Sequence, residues 1–433
     1  MHTEVSPRPG TGPARPGRNV TLLTTAAVIT QLGGSGALIA AAFAVLESGG
    51  GSTDVGLVAA ARTVPLVVFV LVGGAVADRL PRHRVMVAAN VLNCCSQAVF
   101  AALVLTGRAT LWQMVLLSAL GGTGQAFFAP ASEGMLLASV DARQAGRAFA
   151  VFRLGENGAT ILGAALGGAM VAALGPGWVL AVDAAAFAAA GTLRAFLDVR
   201  DTPPRERRGG LLTDLREGWR EVTSRTWLWT IVCQFAVVNG VVAAAEAVYG
   251  PQVARDALGG AGAWGAALAA FGVGTLLGAL LMTRWRPRRV LLAGVVGVFP
   301  LALPSAALAV PLPTAAVAAA MFVGGLAIEV FAVAWMTALR QEIPEHAFSR
   351  VSSYDWLGSL ALTPVATALA GPVEHLVGRS TALWGCAALI VLLTAAVLAV
   401  PQVRRLTLRQ PSEQVAASPA AKPPAPPTAV SAR

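Results

Sequence analysis

The chain has 433 residues and a net charge of +10, with 56% of its residues hydrophobic and only 12% charged. A soluble domain carries about 25% charged residues, so this chain cannot cover itself with a polar surface, and lipid is the natural solvent for much of it. The basic excess is nearly all Arg, in short clusters between apolar runs. That pattern argues against a nucleic-acid-binding domain and matches the Arg and Lys that accumulate in cytoplasmic loops of membrane proteins.

A bilayer span needs about twenty mostly apolar residues. In chain order, residues 1–18 are polar and rich in Pro and Gly, and are expected to form a disordered cytoplasmic tail. The first apolar run behind them is too long for a signal-peptide core and reads as an uncleaved span. Spans are predicted near 20–46, 55–77, 84–106, 111–136, 147–173 and 177–197, giving an N-terminal six-helix bundle over 19–197. Residues 198–226 form a charged linker containing LLTDLREGWREV. In it Leu211, Leu212, Leu215, Trp219 and Val222 recur at helical spacing, which predicts an amphipathic helix on the cytoplasmic face. Six further spans are predicted near 227–249, 262–283, 289–309, 314–338, 351–373 and 380–400, a C-terminal bundle over 227–401. The tail 402–433 is rich in Pro, Ala and Ser and is expected to be disordered. The fold class is therefore an all-α membrane protein of twelve transmembrane helices.

Orientation follows from the loops. With both termini inside, the inner segments hold Arg8, Arg15 and Arg18; Arg79, Arg82 and Arg84; Arg143 and Arg147; the cluster from Arg194 to Arg225; Arg284, Arg286, Arg288 and Arg289; and Arg340 and Arg350. The outer loops hold only Arg108, Arg255 and Arg379. This asymmetry predicts cytoplasmic termini and an even number of spans.

The two halves also match each other. At an offset of 203 residues, Phe128 pairs with Phe331, Arg147 with Arg350, Gly155 with Gly358, Gly168 with Gly371 and Gly175 with Gly378. Earlier in the chain the offset drifts, from 204 at Gly74 and Gly278 to 206 at Pro81 and Pro287. Six spans per half give both halves the same orientation, which is a parallel repeat about an axis along the membrane normal. Such a repeat places a site between the pseudo-symmetric halves.

The loop joining spans 2 and 3 reads GGAVADRLPRHRVM. Gly74 allows close helix packing, and Asp78 is followed by Arg79, Arg82 and Arg84. A carboxylate beside several guanidiniums at a membrane edge can form a breakable ion network and latch one state of a two-state carrier. The plainer reading is a positive-inside turn. The segment resembles the signature loop of the major facilitator superfamily. Three further segments resemble its macrolide-efflux and enterobactin-exporter-like branch: AFFAPASEGMLL, ILGAALGGAMVAALGPGWVLAVDAAAF and RVSSYDWLGSLALTPVATALAGPV. The resemblance covers nearly all of the chain except its tails. It implies the major facilitator fold and a gating role for Asp78, Arg79 and Arg82. The second-half counterpart, GALLMTRWRPRRV, lacks the acidic residue, so the latch is expected to be asymmetric. Span 5 has Gly163 and Ala164 where antiporters of the family carry Gly-Pro. Span 4 lacks the Arg that many family exporters use in proton coupling.

Charges inside spans are costly and face a cavity or a partner. They are Arg62, Glu133, Arg153, Glu156, Asp183, Glu246, Glu329 and Asp355. Glu133, Arg153, Glu156 and Asp355 lie near the cytoplasmic ends and read as gating or structural groups, with Arg153 and Glu156 on one helical face. Glu246 and Glu329 are candidate proton carriers, because spans 7 and 10 line the central cavity in the family; Asp183 is a weaker third. Glu246 is placed near the outer end of its span. Gln31, Gln125 and Asn239 either contact substrate or bridge helices. The cavity is expected to be mostly Ala, Val, Leu and Phe, which favours an amphipathic or hydrophobic substrate. Cys94, Cys95, Cys233 and Cys386 all lie in apolar runs without metal-ligand spacing and read as packing residues; no metal or cofactor is expected.

These readings make the protein a proton-driven exporter of a drug or secondary metabolite, acting as a monomer in the inner membrane. The alternatives are a siderophore exporter or uptake carrier of the same fold, or a membrane scaffold or sensor. No HExxH, GxSxG or phosphate-binding loop supports an enzyme.

Overall fold

The computed structural model describes residues 16–79, 82–138, 142–197, 219–285, 287–310 and 312–406. Among these residues all regular structure is helical. The N-terminal half contains α1 (Pro16–Glu47), α2 (Ser52–Arg79), α3 (Arg82–Leu105), α4 (Leu111–Ala138), α5 (Ala142–Leu174) and α6 (Pro176–Ala195). The C-terminal half contains α7 (Thr226–Leu258), α8 (Ala261–Arg284), α9 (Val290–Ala309), α10 (Thr314–Glu342), α11 (Glu345–Leu360 continued by Thr363–Val377) and α12 (Arg379–Leu398). Eleven of the described helices are long and apolar enough to cross a membrane. The 28-residue α4 is the twelfth, with Glu133 as its single charge. Most of the predicted linker helix lies outside the described residues. Its end, at Trp219 and Val222, is helical, and the Trp219 ring lies 6.0 Å from that of Tyr354 on α11.

An even number of crossings puts the start of α1 and the end of α12 on one face, called here the terminal face. The opposite face is the far face. The packing differs sharply between them. One continuous apolar core runs across both halves toward the far face, from Phe43 of α1 and Phe100 of α3 to Tyr249 of α7, Trp264 of α8 and Leu383 of α12. Toward the terminal face each half keeps its own core, around Met86 and Phe152 in the first half and around Trp227 and Trp335 in the second. The halves are thus sealed together at the far face, and the cavity between them is closed on that side.

Close contacts across this seal depend on missing side chains. On α5, a Cβ built on Gly168 would lie 2.7 Å from the Gly265 Cα of α8. Its repeat partner Gly371 on α11 stands in the same relation to α2, where a Cβ would lie 2.3 Å from the Thr53 Cα. Gly155 and Gly358 repeat the pattern inside each half, against Val28 of α1 and Val232 of α7. Gly175 and Gly378 each open the sixth span of their half, with φ of 89° and 83°. At positive φ a Cβ is strained, so glycine is required at both turns. The repeat seen in sequence is therefore a repeat of backbone constraints.

Two spans depart from expectation. The sequence predicts that span 7 ends near residue 249, before Gly250 and Pro251; instead α7 continues to Leu258. Pro251 lacks an N–H and cannot sit in an unbroken α-helix without loss. Here π turns at Ala244–Tyr249 and Ala254–Leu258 flank it, and the widened backbone carries the helix through. Glu246 therefore stands about 18 Å from the end of its helix, at 1.5 Å rise per residue, and not near the outer end. Span 11 is interrupted at residues 361–362, just before Pro364.

Aromatic stacking fills the terminal core of the second half. The rings of Phe235 and Phe331 lie 4.1 Å apart, and those of Trp227 and Trp335 5.5 Å apart. The Trp335 Nε1–H donates to Asp355 Oδ2 at 2.9 Å. Asp355→Ala is expected to lower stability by about 1–3 kcal/mol, because it leaves a buried donor unpaired. In the Asp355→Ala, Trp335→Phe double variant the orphan donor is gone. Its loss, read from thermal unfolding in detergent, should be smaller than the sum of the single losses.

Candidate functional site

The cavity between the halves is walled by α1, α2, α3 and α4 on one side and by α7 and α8 on the other. Most of its wall is aliphatic, including Leu38, Ile39, Val55, Val58, Leu117 and Leu268. Four polar residues break that surface: Arg62 on α2, Gln97 on α3, Ser118 on α4 and Glu246 on α7.

Arg62 is set by an unusually close crossing. A Cβ on Gly122 would fall on the Arg62 carbonyl, so α4 can approach α2 there only through a glycine. The approach brings the guanidinium to Gln125, and Arg62 Nη2 donates to Gln125 Oε1 at 3.2 Å. Behind the wall, Gln97 Nε2 donates to Asp183 Oδ2 of α6 at 2.5 Å. Asp183 is 1% exposed, and its Oδ1 is buried without a hydrogen-bond partner. That oxygen presses on α1, where a Cβ on Gly33 would lie 2.6 Å from it. The first half therefore holds two polar pairs at this level, Arg62 with Gln125 between α2 and α4, and Gln97 with Asp183 between α3 and α6.

Glu246 comes from the other half. It lies in the first π turn of α7, half-buried, with Oε1 buried and unpartnered. The π turn changes the angular spacing of side chains, which is how a helix otherwise apolar here presents one carboxylate to the cavity; such turns are common at functional sites. Next to it, Tyr249 Oη donates to the Ala370 carbonyl at 2.7 Å and ties α7 to α11. At the far end, Arg379 at the start of α12 joins Asp256 of α7 at 2.7 Å and Glu374 of α11 at 2.8 Å.

The other predicted residues are distributed as follows. Gln31 Nε2 donates to Thr160 Oγ1 at 2.9 Å and bridges α1 to α5. Asn239 Nδ2 donates to the Ser359 carbonyl at 2.9 Å and bridges α7 to α11. Glu329 on α10 faces α8, its Cβ near Gly278, and is not part of the cavity wall. Arg153 Nη1 lies 3.5 Å from Glu156 Oε2 on α5. Arg84 is exposed near the start of α3. Gly74, Asp78 and Arg79 fall in the last turns of α2, Arg82 opens α3 and Glu133 lies in α4. The side-chain surroundings of these five lie outside the described part of the structure.

Sequence reading also misplaces one charge. It assigns Arg194 to the central loop, but the residue belongs to α6 and is 1% exposed. Its Nη1 donates to Asn90 Oδ1 at 2.8 Å, and its guanidinium lies 4.3 Å from the centre of the Phe128 ring. A charge at the last turn of an apolar run reads as a loop charge until the neighbours that bury it are known. Among the described residues no cluster of His, Cys, Asp and Glu could hold a metal.

Two six-helix halves, related by an in-line repeat and enclosing a mostly apolar cavity with a few polar groups, define a membrane carrier. The description of the Major Facilitator Superfamily matches residues 23–359, and the chain belongs to that family. Its members are transporters and not enzymes. The chain is 30% identical over 420 residues to the multidrug efflux pump Tap of Mycolicibacterium fortuitum, covering 90% of this chain and 98% of that one. The solved nucleoside transporter NupG superposes with a TM-score of 0.68 at 14% identity, over 88% of this chain and 98% of that one. A bacterial homologue of the human lysosomal transporter Spinster, in an inward-facing and occupied conformation, gives 0.68 at 13% identity, over 92% and 100%. At these identities the two structures establish the fold alone.

Proposed function

We propose that this protein exports amphipathic or hydrophobic small molecules across the inner membrane, driven by protons and working by alternating access. The observation that carries the reading is the cavity between the halves, aliphatic over most of its wall and bordered by the core that joins the halves toward the far face. The similarity to a multidrug efflux pump points the same way. The terminal face is taken as cytoplasmic, because the Arg residues of the loops collect there. In that orientation the structure corresponds to a state closed toward the outside. Residues 19–197 and 227–401 act as the two rocking units, with 198–226 as their cytoplasmic linker.

Asp78, Arg79 and Arg82, with Gly74 allowing close packing, form the latch between α2 and α3 that holds one state. Glu133 and the Arg153–Glu156 pair act with it as gating groups at the same face. Protons are carried by an intramembrane carboxylate. Glu246 and Asp183 are favoured over Glu329, since the first lies in the cavity wall and the second is bound to it through Gln97. A moved elementary charge is worth about 2.3 kcal/mol per 100 mV, enough to drive uphill export.

The test is flux of fluorescent drug-like compounds in proteoliposomes with an imposed pH gradient. Flux should follow the gradient and collapse with an uncoupler. Asp78→Asn should lower it at least tenfold with substrate binding unchanged. Flux indifferent to the gradient would remove proton coupling while leaving a facilitator.

A further inference from the structure

We propose that the segment beyond the last span, Pro401–Leu406, is a clasp that pins the end of the central linker to the second half and so fixes one root of the tether between the halves.

The chain leaves α12 at Leu398 and enters a short helix, Pro401–Arg405. That helix packs against the starts of α7 and α9 and the end of α12. Val403 is fully buried there. The same apolar core holds Val222 of the linker, 5% exposed, with Trp227 of α7, Leu291 of α9 and Val351 of α11. A linker residue and a residue from beyond the last span thus share one core. Among the described residues, none of the first half belongs to it.

A directed bond joins the two segments. The first turn of a helix leaves backbone N–H groups without partners inside the helix. At the start of α7, Arg225 supplies no capping side chain. Gln402 does so from the other end of the half, its Oε1 accepting from the Trp227 N–H at 3.1 Å. Trp227 is buried, and a buried N–H left unpaired is costly, so α7 itself demands an acceptor at this place. The clasp is braced on both sides. The Leu406 N–H donates to the Gln402 carbonyl at 3.2 Å, and Arg404 Nε donates to the Leu398 carbonyl of α12. On the linker side, Arg225 pairs with Glu221, and the Trp219 ring packs on Tyr354 of α11.

The linker has a fixed root in the first half too. Leu197 is buried there in the core of Met86 and Phe152. With the clasp shut, the linker is held at one root in each half. A longer tether holds its ends together less strongly, so a linker released at Val222 restrains the parting of the two terminal ends less. Loss of the clasp should therefore act on the exchange of states and spare the cavity, whose wall contains none of these residues.

The test uses the full chain with its native cysteines replaced by alanine and spin labels placed at the exposed Arg220 and Arg405. With Gln402 intact, the distance distribution should be single and narrow. Gln402→Leu keeps the bulk, loses the acceptor and should broaden the distribution at least twofold. Gln402→Glu keeps an acceptor, and a carboxylate suits a helix N-terminus, so the narrow distribution should return. In proteoliposomes, Gln402→Leu should lower maximal flux at least fivefold with apparent substrate affinity within twofold, while Gln402→Glu keeps both. A chain ending at Leu406 should match wild type, and one ending at Val400 should behave as Gln402→Leu. Where the shorter chain unfolds in a thermal-melt control, the two point variants decide. A broad distribution with Gln402 intact, an unchanged one or wild-type flux in Gln402→Leu, or a Gln402→Glu variant that behaves as Gln402→Leu would each overturn the proposal. The distance measurement needs no transported compound, so failure of the carrier reading leaves it a valid test.

Discussion

Gly168→Leu is expected to lower transport at least a hundredfold without unfolding either half. Gly168 sits where α5 crosses α8, and even a Cβ there would meet backbone, the Ala261 carbonyl at 2.6 Å and the Gly265 Cα at 2.7 Å. The neighbour is main chain and cannot swing away as a long side chain can. Forcing bulk into a packed contact costs about 1–3 kcal/mol, and here the cost falls only on the state in which the far ends touch. A penalty of about 2 kcal/mol changes the ratio of two conformations roughly thirtyfold, and a leucine exceeds a single methyl by three carbons. The carrier should therefore rest with its far face open. Ala42→Cys, buried in the far core, should become reactive to a membrane-impermeant thiol reagent in the Gly168→Leu background. Gly371→Leu, at the repeat-related crossing of α11 with α2, should do the same. Gly385→Leu is the control, since a side chain there meets nothing within 4 Å, and its flux should stay within twofold of wild type. Wild-type flux in Gly168→Leu would mean that the α5–α8 crossing does not govern the cycle.

Asp183 carries the second large expectation. Asp183→Leu removes the acceptor of Gln97. Leaving the buried Gln97 amide without its acceptor costs about 1–3 kcal/mol, so thermal unfolding in detergent should shift down by a few degrees. Adding Gln97→Leu removes the orphaned amide and should restore part of the loss. Asp183→Asn is the informative variant for function. It keeps the size and the capacity to accept from Gln97, so the fold should survive, while the ionisable group is gone. Gradient-driven flux should fall at least tenfold with binding retained. Full flux in Asp183→Asn would make the carboxylate a structural group and leave Glu246 as the proton carrier.

Some of this architecture is readable without coordinates because it depends on quantities local in the chain. Apolar run length locates each helix to within a few residues, except where the chemistry of Pro251 reads as a stop. The repeat is readable because Gly168 and Gly371, or Gly175 and Gly378, are demanded by backbone geometry that both halves share. Arg194 is misread for the complementary reason. Whether a charge at a helix end is solvated or buried depends on Asn90 and Phe128, which lie about a hundred and about sixty-six residues away in sequence and which no periodicity connects to it.

The candidate site shows the same division. Each charged residue of the cavity is visible as a charge inside a span, since a bilayer makes such residues rare. Their grouping is not visible. Sequence assigns Arg62 no partner and does not single out Gln97, yet Arg62 pairs with Gln125 across α2 and α4, and Gln97 with Asp183 across α3 and α6. Glu246 and Glu329 look equivalent in sequence, and only packing separates them, one into the cavity wall and the other against Gly278. By itself, then, the sequence determined the solvent, the number of crossings, the pseudo-symmetry and the family, because hydrophobic length and glycine spacing are properties of short segments. The tertiary structure alone decided which end of the carrier is sealed and which buried charges are paired, because both depend on helix rotations and crossings set by contacts between distant segments.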